Sequence, residues 1–137
     1  MLHEQKKNKG LGRGLSALFG DQKKPEKSGE IDLPLIVDWP NRPLQKVCFE
    51  TGRSAFTEWI RLKVGHSESR LRLMPKSGRS HQLRVHCLAM GHPILGDPLY
   101  APEIADGYPR MMLHAEELRL NHPESSKGMK FRIKAPF

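Results

Sequence analysis

Residues 76–86 read Lys-Ser-Gly-Arg-Ser-His-Gln-Leu-Arg-Val-His, and residues 91–97 follow as Gly-His-Pro-Ile-Leu-Gly-Asp. The first stretch holds three cationic side chains, two imidazoles, one amide and two hydroxyls within eleven residues. A solvated helix rarely needs such a mixture, whereas a surface that binds phosphate and sugar uses all of these groups. These two stretches decide both the local fold and the candidate site.

The spacing of apolar residues predicts a helix that starts at Ser80. Leu83, Cys87 and Met90 recur at helical intervals, so they form one apolar stripe. The Ser80 hydroxyl can cap the exposed N–H groups of the first turn. Gly91 can then close the helix, because glycine tolerates the left-handed conformation that ends many helices.

The start of this helix is a candidate anion site. Free N–H groups and the positive end of the helix dipole favour an anion beside Gly78 and Arg79. The guanidinium of Arg79 adds a planar fork of donors that suits phosphate or carboxylate. Residues 46–84 carry nine Lys and Arg against three Glu, so basic charge surrounds the motif. A capped helix with solvated arginines is the alternative. The residues expected to contact nucleic acid are Lys76, Arg79, His81, Gln82 and Arg84.

The chain as a whole is basic, with a net charge of +8 and a pI of about 9.8 over 137 residues. Such a charge favours a polyanionic partner, with nucleic acid ahead of an acidic membrane surface. A solvated basic surface without a partner is the alternative. The sequence has neither an apolar run long enough to cross a bilayer nor the apolar core of a signal peptide. It therefore predicts a cytoplasmic protein without a membrane partner.

Metal and cofactor sites are not indicated by the sequence. Cys48 and Cys87 lie far apart, and we expect both to be small core residues rather than zinc ligands or a disulfide. His81 and His86 are five positions apart, which is not the spacing of a helical metal pair. Phosphate-loop and dinucleotide-binding fingerprints are absent as well. We expect no metal and no cofactor.

The remaining pattern predicts an α+β fold of mostly antiparallel strands with one main helix. Residues 30–37 begin extended. Residues 55–64 and 69–75 read as two strands joined by a loop at residues 66–68, because Leu71 and Leu73 alternate with arginines. Two later strands are expected at residues 111–120 and 129–133, with a long turn between them.

Composition divides the chain near residue 28. Residues 1–28 carry seven Lys and Arg against three Asp and Glu and have few apolar anchors, which predicts a disordered basic leader and linker,. Residues 29–137 read as one continuous domain. Within the leader, residues 9–21 (KGLGRGLSALFGD) resemble the extreme N-terminus of chromosome-partitioning ParB proteins. That resemblance implies a partition ATPase as a partner. A disordered basic leader, or a spliced or mispredicted start, is the alternative.

The domain carries segments that fall in the order of a known family: residues 32–36, 38–43, 45–48, 50–52, 78–86, 91–97, Tyr100, and residues 113–116 and 134–136. With these segments it resembles the RluA family of RNA pseudouridine synthases. The resemblance implies the pseudouridine synthase fold and a cofactor-free isomerisation of uridine to pseudouridine in a flipped nucleotide. Its implied substrates are structured RNA: large-subunit ribosomal RNA and a tRNA anticodon stem-loop. In this family an arginine pairs with the catalytic aspartate; Arg79 matches that arginine, and Leu83 matches an apolar residue that brackets the active site.

The sequence departs from the family in its nucleophile. The family aspartate lies in a His-Arg-Leu-Asp motif, and these 137 residues contain no such motif. The segment with the family's active-site tyrosine is missing too. Asp32, Asp38 and Asp97 match other family positions. We therefore expect a truncated or fused C-terminal part of the enzyme that retains RNA affinity and lacks catalysis by itself. A non-enzymatic ParB-like interaction protein and a gene remnant are the alternatives.

Overall fold

The computed structural model describes residues 26–137. Its strands are β1 (Ser28–Asp32), β2 (Leu35–Val37), β3 (Gln45–Val47), β4 (Phe56–Val64), β5 (Ser69–Pro75), β6 (Glu117–Asn121) and β7 (Gly128–Arg132). The main helix, α1, spans Gln82–Ala89, and a single turn, α2, spans Pro102–Ala105. The expected α+β class with mostly antiparallel strands and one main helix is confirmed.

Strands β1, β4 and β5 form a three-stranded sheet in the order β1-β4-β5. Two strand predictions are confirmed here, since β4 begins one residue later than expected and β5 has the expected bounds. The described residues divide into two compact units, one of residues 26–29 and 59–72 and one of residues 30–58 and 73–137. In the smaller unit Arg61 N donates to Lys27 O at 2.7 Å. The predicted loop at residues 66–68 is closed by a bond from Gly65 N to Glu68 O.

The larger unit contains two antiparallel hairpins. Strands β2 and β3 pair with Leu35 opposite Val47, and a short 3₁₀ turn, Trp39–Asn41, lies between them. Strands β6 and β7 pair with Leu118 opposite Phe131. A small core forms where Leu35, Ala55 and Val85 meet, so helix α1 packs by its Val85 side.

The predicted start of the helix is wrong by two residues. The helix begins at Gln82, and its N-cap residue is His81 in the left-handed conformation with φ of 53°. Ser80 makes no side-chain cap bond, because the turn before the helix is organised by the side chain of Gln82 instead. The predicted end is confirmed, since Gly91 has φ of +83° and its N–H bonds to Leu88 O.

The predicted strand at residues 111–120 is largely wrong, because only Glu117–Asn121 is extended in a sheet. Upstream, Met112 N donates to Leu95 O at 2.8 Å, so this segment bonds to the loop after α1. Gly96 allows that approach: it has φ of +76°, and a Cβ there would collide with the carbonyl oxygen of Arg110. Strand β7 agrees with its prediction to within one residue at each end.

The two cysteines differ in their burial. Cys87 is buried, as expected. Cys48 is half-buried on the turn after β3, so its expected place in the core is wrong. Within residues 26–137, no helix is long and apolar enough to cross a membrane.

Candidate nucleic-acid interface

The loop before α1 is held by the amide of Gln82. Its Oε1 accepts hydrogen bonds from Ser77 Oγ at 2.8 Å and from Arg79 N at 3.0 Å. Its Nε2 donates to Phe56 O and to Thr57 Oγ1, both at 3.0 Å. Gln82 is 4% exposed. The amide therefore fixes the shape of the loop and does not present itself to a ligand, unlike the surface contact that we expected.

A buried chain of hydrogen bonds continues from Gln82. Thr57 Oγ1 lies 2.9 Å from Nδ1 of His86, and Nε2 of His86 lies 2.9 Å from Leu33 O. A carbonyl can only accept, so Nε2 carries the proton and Nδ1 accepts from the Thr57 hydroxyl. Both side chains are fully buried. The chain joins the β1–β2 turn to the loop that carries Arg79.

Arg79 lies on the exposed side of this loop. Its backbone N–H is bound by Gln82, and its Nε donates to Ser54 O at 3.0 Å. Among residues 26–137 it has no carboxylate partner. Two anchors thus orient a guanidinium whose charge is not neutralised within the described part of the chain. Lys76, by contrast, forms an ion pair with Glu58 at 3.0 Å.

Arg84 forms an ion pair within the larger unit. Its guanidinium makes a two-pronged contact with Asp97, whose side chain is fully buried. Burial pushes the pKa of Asp97 up, but the bonds from Arg84 and from the backbone N–H groups of Leu99 and Tyr100 outweigh it, so the net shift is downward. The sequence predicted a nucleic-acid contact at Arg84, whereas the structure places its charge against Asp97.

His81 contacts Tyr100. Its Nδ1 lies 2.8 Å from the phenolic oxygen, and the two rings meet edge to face with centroids 5.6 Å apart. Burial lowers the pKa of His81, and the charge of Arg84 lowers it further against the opposing effect of Asp97. A neutral imidazole is favoured. The same phenolic oxygen accepts from Gln45 N at 2.9 Å, so Tyr100 joins the β2–β3 hairpin to the turn before α1.

Several of the predicted residues are gathered on one short segment, but they have different roles. Arg79 is exposed, His81 and Arg84 are half-buried with partners, and Gln82 is buried. Leu83 is half-buried on the first turn of α1. Sequence reasoning missed two partners in this site, Thr57 and Ser54, because each is distant in the chain and carries no local signal. It named Tyr100 only for the family resemblance and not as a partner of His81.

Comparisons with known proteins match the chain to RNA pseudouridine synthases. A family model described as RNA pseudouridylate synthase matches residues 8–89. Dual-specificity RNA pseudouridine synthase RluA of Yersinia pestis is 54% identical over 114 residues, which are 82% of this chain and 55% of that protein. RluA of Escherichia coli K12 is 54% identical over 111 residues, covering 80% and 51%. The solved structure of human RNA Pseudouridylate Synthase Domain Containing 1 matches with a TM-score of 0.67 and 29% identity, over 84% of this chain and 51% of the human one.

The chain therefore belongs to the RluA family of RNA pseudouridine synthases, as its motifs predicted. It spans about half the length of the relatives that it matches. Residues 38–43, Asp-Trp-Pro-Asn-Arg-Pro, are among the segments that carried the resemblance, and the curated relatives carry the name RluA. Residues 9–21, with their resemblance to ParB, lie outside the described residues, and that resemblance stays a prediction.

Proposed function

We propose that residues 29–137 bind structured RNA and supply Arg79 to a site that isomerises uridine to pseudouridine. The observation that carries this proposal is the state of Arg79. It is exposed, anchored by Ser54 O and Gln82, and free of a carboxylate partner among the described residues. A guanidinium held in this way matches an arginine whose partner is the aspartate of a reacting site.

The expected substrates are stem-loops of large-subunit ribosomal RNA and tRNA, in keeping with the dual specificity in the name of the relatives. Extrusion of the uridine would expose its base and flanking phosphates to the basic loop. The residues that we assign to RNA contact are Arg79 and Lys76, with His81 beside them. We assign Gln82 and Arg84 to holding that loop in place and not to RNA contact, since their polar groups are already bonded within the protein. The reaction itself needs no cofactor.

The missing carboxylate limits what these residues do by themselves. Within the 137 residues, none lies in a His-Arg-Leu-Asp motif. Asp97 cannot substitute, because it is fully buried and bonded to Arg84. Binding of RNA is therefore the activity that we assign to this chain, and isomerisation is the activity of the site that it helps to form.

The test measures affinity for a labelled RNA stem-loop by fluorescence anisotropy. Arg79→Ala should weaken binding by about 1–3 kcal/mol, the range for a charge-assisted hydrogen bond. Arg79→Lys should recover only part of it, because an ammonium lacks the planar fork. Lys127→Ala removes a cation from the turn between β6 and β7 and serves as the matched control. Affinity should fall steeply with added salt, as bound counterions are released. Equal affinities for Arg79→Ala and Lys127→Ala, or a flat salt response, would contradict the proposal.

A further inference from the structure

The tip of the β2–β3 hairpin presents an aromatic ring to solvent. Trp39 is 63% exposed there. The guanidinium of Arg42 lies over the indole, with its central carbon 4.4 Å from the ring centroid. Tryptophan is highly buried on average. Exposure of this indole to water is therefore unfavourable in free energy, unless a ligand covers the ring.

The tip is rigid enough to keep the ring exposed. Its backbone is bonded at three places: Asp38 N to Leu44 O at 2.8 Å, Asn41 N to Asp38 O at 2.9 Å and Leu44 N to Asn41 O at 3.0 Å. The Asp38 carboxylate also accepts from Asn41 Nδ2 at 2.9 Å. A loop tied in this way presents the indole in a fixed orientation. Binding there would cost little ordering entropy.

The local charge favours an anionic ligand. Asp38 is the nearest carboxylate in sequence, and Lys46 neutralises it with an ion pair at 3.4 Å. Arg42 is left as a cation beside the ring. A flat aromatic face next to a guanidinium suits an unpaired nucleobase, whose ring stacks on the indole while the adjacent phosphate meets the cation. The exposed Phe49, at 76%, has no such cation over its ring among residues 26–137.

The tip is connected to the loop of Arg79 within the same unit. Gln45, which follows the tip, donates its N–H to the Tyr100 hydroxyl, and that hydroxyl contacts His81 at 2.8 Å. We propose that Trp39 and Arg42 form a second RNA contact, in which an unpaired base stacks on Trp39 and its phosphate binds Arg42. This inference rests on the proposed function, because it assumes that the chain binds RNA.

The experiment uses the intrinsic fluorescence of the chain, which has two tryptophans, Trp39 and Trp59. Titration with a stem-loop RNA should quench the emission of Trp39, whereas a fully paired duplex of the same length should quench it much less. The quenching should persist in Trp59→Phe and disappear in Trp39→Phe. Because Trp59 is half-buried and its replacement can impair folding, the loss of quenching in Trp39→Phe alone decides the result.

Affinity gives an independent readout, measured by anisotropy of labelled RNA. Trp39→Leu should weaken stem-loop binding about tenfold, and Trp39→Phe should weaken it less, since a phenyl ring still stacks. Arg42→Ala should also weaken it and flatten the salt dependence. Phe49→Leu is the matched control for loss of an exposed aromatic ring and should bind as the wild type does.

The outcomes separate this inference from the proposed function. Tight RNA binding with unchanged Trp39 emission and full affinity in Trp39→Leu would overturn the second contact and leave the role of Arg79 intact. Equal losses in Trp39→Leu and Phe49→Leu would also overturn it, because they would indicate a general effect of losing an exposed aromatic ring. A failure of the wild type to bind RNA at all would overturn both. Persistent quenching in Arg79→Ala at saturating RNA would support two distinct contacts.

Discussion

Arg84 and Asp97 are joined by two short hydrogen bonds, from Nη2 to Oδ1 at 2.6 Å and from Nε to Oδ2 at 2.8 Å. The pair ties helix α1 to the end of the Gly91–Asp97 segment. Asp97 Oδ1 also accepts from the N–H groups of Leu99 and Tyr100, so one carboxylate shapes the turn that presents the Tyr100 ring. An arginine and an aspartate that sequence analysis treated separately thus form one structural unit.

Removing the negative partner of this pair should destabilise the protein. Asp97→Asn leaves Arg84 half-buried without its counterion, and the amide cannot accept all four hydrogen bonds. Because Arg84 lies near the surface, we expect a loss of about 2–3 kcal/mol in the free energy of unfolding, at or below the lower end for fully buried pairs. Urea unfolding measures it. Asp38→Asn, which breaks an exposed pair, is the control and should change stability little. A similar loss in both variants would refute a special role for Asp97.

The same carboxylate should make stability depend on pH in the acid range. The pKa of Asp97 is lowered in the folded state, so its contribution is fully present above the ordinary carboxyl pKa of about 4 and is lost as pH falls toward the folded value,. The free energy of unfolding should therefore drop with pH more steeply in the wild type than in Asp97→Asn. Comparison of the two chains cancels the contributions of Asp38 and Glu117, whose pKa values are also lowered. Parallel curves below pH 4 would argue against this assignment.

The buried amide of Gln82 should control the order of the Arg79 loop. Gln82→Met removes four hydrogen bonds, which leaves the N–H of Arg79 without its partner and Thr57 with only its bond to His86. We expect a loss of about 2–3 kcal/mol in unfolding free energy, since each buried polar group left unsatisfied costs about 1–3 kcal/mol. RNA affinity measured well below the melting temperature should fall about as far as in Arg79→Ala. Wild-type RNA affinity in a folded Gln82→Met protein would show that RNA binding does not depend on the Gln82 amide.

The two thiols should differ in reactivity. The Thr51 hydroxyl, 3.4 Å from Cys48 Sγ, lowers the pKa of Cys48, and backbone N–H groups of the same turn add to the effect. Burial raises the pKa of Cys87 to about 11. Near neutral pH, a disulfide reagent should therefore modify Cys48 first and Cys87 only after unfolding. Thr51→Val should slow the reaction of Cys48. Equal rates for the two thiols in the native protein would be inconsistent with this environment.

The 137 residues by themselves should produce no pseudouridine. The family nucleophile is not among them, and Asp97, the buried carboxylate among residues 26–137, is bonded to Arg84. The purified chain is incubated with the stem-loop substrate, and pseudouridine is measured in the digested RNA. RluA of Escherichia coli K12 serves as the positive control. Product above the background without enzyme would show that another group in this chain acts as the nucleophile.

Local patterns in the sequence were enough to predict the elements that depend on near neighbours. The alternation of Leu71 and Leu73 with arginines identified β5 correctly, because the side chains of a half-buried strand repeat every two residues,. Gly91 marked the end of α1 for an equally local reason. The same reasoning was wrong for residues 111–116, which it predicted to be part of a strand. Their backbone bonds to the loop after α1, a partner that no short window of sequence contains.

The family, the basic charge and the motif loop with its arginine could be read from residue types and their order. Which motif residues are available to a ligand depends on contacts between distant segments. Gln82 and Arg84 are as polar as Arg79, yet Thr57 and Asp97, which approach from distant segments, satisfy their side chains. Burial of a polar group requires such partners. The fold therefore uses most of the motif to hold its own loop and leaves Arg79 exposed.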